Sequence, residues 1–122
     1  KKIAFYRTRS AVADDGFSVT LNMGVSNFYH LVLTYDGTNV RGYVNGNLVG
    51  SPTAASGNGN AALVDKFNIF TGNNNGNNPE GFSVGVADDV AVFNKTLTAT
   101  EVSNIYNGTL SERFNGDFFA FF

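Results

Sequence analysis

The sequence predicts an all-β protein, an antiparallel β-sandwich with one short C-terminal helix. Three observations carry that prediction. Fourteen Gly and many Asn stand against only two Pro, Pro52 and Pro79. Gly and Asn tolerate positive φ, so the chain is punctuated by tight turns. Between the turns lie short runs of aromatic and β-branched residues, twelve Phe among them, which suit a pleated, half-buried surface. Helical spacing and helix-end signals coincide in one segment, Thr98 to Gly108.

Taken in order, Ile3–Arg7 is a short strand, followed by a polar break through Asp14-Asp15-Gly16. Phe17-Ser18-Val19-Thr20-Leu21 alternates apolar and polar residues, the period of a strand with one wet face. Tyr29–Tyr35 is nearly continuous in apolar content and predicts a more central strand. Asp36-Gly37-Thr38-Asn39 makes a turn, and Val40–Val44 returns. Asn45-Gly46 then signals a type I′ hairpin, which needs positive φ at both central positions. Asn47–Gly50 is the next strand, and Ser51–Asn60 a loop of small residues. Phe67–Phe70 is another strand, Gly72–Gly81 a second loop dense in Asn, and Phe82–Phe93 carries one or two strands.

In Thr98-Ala99-Thr100-Glu101 the spacing predicts a capping box, with Leu97 and Val102 as a hydrophobic staple. Val102, Ile105 and Tyr106 form one apolar stripe, and Gly108 stands where a C′ glycine ends a helix. Two or three turns cannot stand alone in water, so this helix must lie against the sheets. The tail, Phe114 to Phe122, is the most apolar stretch. It is either a final strand of the sandwich or an anchor for a partner.

At 122 residues the chain suits one domain. The absence of Cys excludes a disulfide framework, Cys zinc sites and a thiol nucleophile. Eight basic against ten acidic residues give a net charge of −2, with no basic stripe for nucleic acid. Nor does any apolar run approach the roughly 20 residues of a membrane helix, so membrane insertion is not expected. The chain starts at Lys1-Lys2 without Met or a signal-peptide core, as expected of a processed product or an excerpt of a longer chain.

From Phe28 to Gly46 the order is an aromatic residue at Phe28, Tyr29-His30, the apolar run Leu31-Val32-Leu33, then Tyr35-Asp36-Gly37 and Tyr43-Val44-Asn45-Gly46. Further on come Gly85, the paired acids Asp88-Asp89, the strand Val90–Phe93, Asn94-Lys95-Thr96-Leu97 and the capped helix ending in Tyr106-Asn107. This order resembles the laminin-G-like jelly roll of the concanavalin A-like lectin/glucanase superfamily. The resemblance implies a β-sandwich that recognises surface ligands. Two departures stand out. Phe28 replaces the family's usual Trp, and only residues 1–27 precede it, where relatives have several strands.

Glucan-cutting relatives place carboxylates on alternate positions of one strand, and retaining chemistry wants two about 5 Å apart. No Glu-x-Asp-x-Glu pattern occurs here, Glu80 falls in a loop and Glu101 in the capping box. Asp88 and Asp89 are adjacent, so within a strand they would point to opposite faces. No catalytic residues are therefore assigned. His30 matches a family position that is usually structural. The Gly/Asn stretches lack the Lys-Ser/Thr and helix of a phosphate loop.

Calcium is a hard cation that takes oxygen ligands from loops of this composition. The resemblance points to Asp88 as its ligand, and the Asn-rich loop offers Asn73, Asn74, Asn75, Asn77 and Glu80 as co-ligands, Asn77 and Glu80 foremost; the alternative is that Asp88 only hydrogen-bonds backbone N–H groups. For a sugar, Asn amides and an aromatic platform are the needed groups; Tyr43, Asn45, Asn47, Asn73, Asn74 and Asn75 form that pool. Asn94-Lys95-Thr96 and Asn107-Gly108-Thr109 match glycosylation sequons, which matter only in a eukaryotic secretory pathway.

The expected organisation is a laminin-G-like sandwich over residues 1–113, either minimal, a fragment short of N-terminal strands or completed by another chain, and a Phe-rich tail over 114–122, a final strand or partner anchor. The expected function is non-catalytic recognition or adhesion through glycan or protein surfaces, outside a cell, at its surface or on a virion. The alternative is a structural module of a virion, fibre or surface layer that assembles through Phe118, Phe119, Phe121 and Phe122. A sandwich alone does not choose between them.

Overall fold

The computed structural model describes residues 1–10, 13–24, 27–55, 72–74, 78–80, 84–108 and 118–121. The first hairpin pairs β1 (Lys2–Ser10) with β2 (Ala13–Thr20) antiparallel, in register from Lys2–Thr20 to Ser10–Ala13. Asp14, Asp15 and Gly16 therefore lie inside β2, opposite Thr8, Arg7 and Tyr6, and form no break. Ladder hydrogen bonds are made by backbone groups, so polar side chains do not by themselves end a strand. Along Phe17–Thr20 half-buried and exposed residues alternate as the sequence predicts.

The second sheet has the order β3-β4-β5, with β3 at Leu31–Tyr35, β4 at Asn39–Val44 and β5 at Asn47–Ala54. Its central strand among the described residues is β4, not the more apolar β3. In β3 the burial alternates: Leu31 and Leu33 are exposed while Thr34 is buried. β5 runs on through Pro52, where a loop is expected from sequence. A register shift sets Gly50–Pro52 opposite Arg41, and Pro is tolerated at such irregularities and on outer strands.

The two faces of β4 carry different layers. Val40 (0% exposed) and Gly42 share one face, and Tyr43 (3%) points the other way. On the first face the β1–β2 hairpin closes down. A Cβ on Gly42 would stand 2.6 Å from the ring of buried Phe5, and one on Gly50 2.6 Å from the ring of Phe17. The two rings are tilted partners, 5.6 Å between centroids. Glycine at these positions lets aromatic rings reach the sheet backbone.

On the second face Tyr43 packs with Leu97 and Val102, flanked by Val32, Phe93 and Ile105. Val102 belongs to α1 (Ala99–Tyr106), whose capping box forms as the sequence predicts. Thr98 Oγ1 accepts from the Glu101 amide (3.2 Å), and the Glu101 carboxylate accepts from the Thr98 amide (2.7 Å). Lys95 pairs with the same carboxylate at 3.1 Å. These hydrogen bonds and the Lys95 ammonium push the Glu101 carboxyl down to about 2. Asn107 caps the C-terminus and Gly108 follows at φ +69°. Thr96 donates to the Tyr35 carbonyl (2.5 Å), which ties the helix approach to the end of β3.

Beside this layer, β8 (Ala91–Phe93) pairs antiparallel with β9 (Phe118–Phe121), so part of the Phe-rich tail is a strand. The segment expected to be an Asn-rich loop contains a small hairpin, β6 (Gly72–Asn74) with β7 (Asn78–Glu80). The strand expected at Phe67–Phe70 lies outside the described residues. No helix among the described residues is long and apolar enough to cross a membrane.

Gly42→Ala tests this layering without backbone strain. The new methyl must displace the Phe5 ring, and overpacking of this kind costs about 1–3 kcal/mol. Chemical denaturation should show that loss, and an unchanged midpoint would mean that Phe5 does not seat on β4.

Candidate functional site

The end of the β4–β5 hairpin is where backbone geometry, amide side chains and an open aromatic ring meet. Asn45 (φ +50°) and Gly46 (φ +78°) have the two positive φ angles of the predicted turn. The Asn45 carboxamide oxygen accepts from the His30 amide at 3.0 Å, and the His30 carbonyl accepts from the Asn45 amide at 2.8 Å. Asn45 thus pins the segment entering β3 to the turn. Asn47 Nδ2 donates to the Asn45 carbonyl at 3.0 Å.

Gly46 also lies under the last turn of α1. A Cβ there would sit 3.2 Å from Tyr106 Cδ1 and 3.3 Å from Ser103 Cα. Only glycine meets both demands, positive φ and close approach to the helix. Tyr106 stacks on His30 with ring centroids 5.9 Å apart and planes 28° from parallel. It remains 47% exposed, beside exposed Asn47 and Asn107.

The residues predicted for ligand binding fare differently. Tyr43 is buried against Leu97 and Val102 and presents no face to solvent, which corrects its expected role as a sugar platform. Asn45 and Asn47 build the turn surface, Asn47 openly. Asn73 and Asn74 fall in β6, while Asn75 lies outside the described residues. Tyr106, read from sequence as core stripe, is the open aromatic at this surface. Its position at the helix end, with a polar tip, is the signal for an edge residue.

The carboxylates of Asp36 and Asp88 are engaged locally. Asp36 Oδ1 accepts from the Thr38 (2.9 Å) and Asn39 (2.7 Å) amides, and Oδ2 pairs with Arg41. The Arg41 hydrogen bond, helped by the two amides, holds the Asp36 carboxyl well below the usual range. Asp88 is exposed and accepts from the Asp89 amide at 3.0 Å, with Asp89 at φ +52°. Glu80 falls in β7, and Asn77 lies outside the described residues. Among the described residues no three His, Cys, Asp or Glu side chains gather to hold a metal ion.

A laminin-G family model, described as the concanavalin A-like lectin/glucanases superfamily, matches residues 1–103. The chain belongs to this superfamily. Its antiparallel sheets and single described helix are those of a concanavalin A-like β-sandwich. One similar solved structure covers residues 221–444 of an S-layer domain-containing protein from Clostridium thermocellum, at TM-score 0.58 and 21% identity. The match spans 86% of this chain and 51% of that one, so this chain corresponds to about half of that structure. No curated protein matches the sequence.

His30 carries the acid sensitivity of the site. Its Nδ1 is buried with no hydrogen-bond partner among the described residues, and burial lowers its pKa from the ordinary 6.5. The unfolded chain then binds the proton more readily, so stability is complete above 6.5 and declines as pH falls through it. Thermal melting should therefore show a falling Tm from about pH 7.5 to about pH 5.5. His30→Phe, which keeps an aromatic partner for Tyr106, should flatten that slope. A slope unchanged by the substitution would remove His30 as its source.

Proposed function

We propose that this chain is a non-catalytic recognition module displayed at a cell or virion surface, where it binds glycans. The observation that carries the reading is the turn–helix surface: amide side chains of Asn45, Asn47 and Asn107 around a half-exposed Tyr106. Sugars offer hydroxyls to amides and apolar C–H groups to an aromatic ring, and lectin-like sites supply both. Asn73, Asn74 and Asn75 belong to the proposal as a second amide-rich segment. Membership of a lectin-containing superfamily supports the reading without specifying a ligand.

Calcium at Asp88, with Asn77 and Glu80 as co-ligands, is part of the same proposal. A surface-assembly role is the second reading. It is favoured by the S-layer domain named in the similar structure and by the exposed apolar residues Phe28, Val84 and Val86. In it, Phe118, Phe119, Phe121 and Phe122 help join copies or partners.

A glycan array in calcium and in EDTA separates these readings. Selective binding in calcium is the expected result. Its loss in EDTA and in Asp88→Ala would assign the ion to the site, and retention in both would remove the ion while keeping the lectin role. Silence of the folded chain in both buffers would transfer the function to assembly, to be read by sedimentation.

A further inference from the structure

Resting on the glycan reading above, we infer that Tyr106 is the stacking platform of the site and that its ligand is a neutral pyranoside. Three features of the surface argue for this. The ring is fixed before any ligand arrives: His30 stacks on it at 5.9 Å, and the Gly46 turn abuts its Cδ1 edge. A side chain already immobilised loses little rotamer entropy on binding. With His30 stacked against the ring, Tyr106 still keeps 47% of its surface open to a ligand. An apolar ring with a polar tip matches a pyranose, whose C–H groups line one face and whose hydroxyls ring the edge.

The surroundings then choose among sugars. Residues 45–47 and 103–108 contain no Asp, Glu, Lys, Arg or His. Asn47 and Asn107 are exposed, and each has its Nδ2 engaged, on the Asn45 carbonyl and on Ser103 Oγ (3.4 Å) respectively. These bonds orient the two amides with their oxygens left to accept from hydroxyl groups. A carboxylated or sulfated sugar would find no cation in these two segments to offset its desolvation.

Saturation-transfer NMR on the whole chain tests the inference, with methyl β-D-glucopyranoside and methyl β-D-galactopyranoside as probes and N-acetylneuraminic acid for comparison. Transfer should reach the ring C–H protons of a neutral glycoside and be insensitive to added salt. It should fall about tenfold in Tyr106→Ala and Tyr106→Leu and survive in Tyr106→Phe. Tyr106→Leu keeps an apolar side chain on the helix, so it reports on the ring should the alanine variant unfold. Transfer undiminished in a folded Tyr106→Leu overturns the platform and leaves the glycan reading standing. Transfer to the acidic sugar alone overturns the neutral class. Silence of the folded wild-type chain toward every sugar, here and on the array, overturns the glycan reading and this inference with it.

Discussion

The structure depends on one strand being buried on both faces. β4 carries Val40 and Gly42 toward the β1–β2 hairpin and Tyr43 toward α1, and each of the three is buried. Neither covering layer can stand by itself. A two-stranded hairpin is marginal in water, and a helix of 8 residues is shorter than isolated helices need. Each is held by the side of β4 it covers. Gly42 matters as much as the larger residues, because its missing side chain is the space into which Phe5 fits.

The same strand positions the candidate site. β4 ends in the Asn45–Gly46 turn, and the helix seated on Tyr43 passes its last turn over Gly46. His30 is brought in by two hydrogen bonds with Asn45 and lies against Tyr106. A surface built on strand ends and a docked helix is held more rigidly than one built on loops. The ring and its surrounding amides are therefore set by packing several residues away, in the Tyr43, Leu97 and Val102 cluster.

What could be read in the sequence is mostly what is local. The type I′ turn needs only Asn45-Gly46, and the capping box only Thr98 and Glu101, so both follow from short-range chemistry. The Leu97–Val102 staple is legible for the same reason, and both residues are buried. Strand order is not local. Leu31-Val32-Leu33 looks more central than Val40-Arg41-Gly42, yet the middle place goes to the strand with a glycine for Phe5 and a tyrosine for the helix. Arg41 is compatible with a middle strand because Asp36 receives its guanidinium outside the core. At the candidate site it was burial that the sequence left open: Tyr43, taken from sequence for a surface ring, is buried, and Tyr106, taken for core, is half exposed. Period alone does not say how far a helix stripe or a strand face is covered by its neighbours.

The most direct test of the claim about β4 is native-state hydrogen exchange, resolved by residue. The backbone amides of residues 40–44 that pair within the sheet should exchange last, near the rate set by global unfolding. The amides of α1 and of residues 17–20 should follow closely, since each layer is retained through β4. Exchange from β4 by local opening, faster than from α1 or from β2, would contradict the account and place the organising core elsewhere.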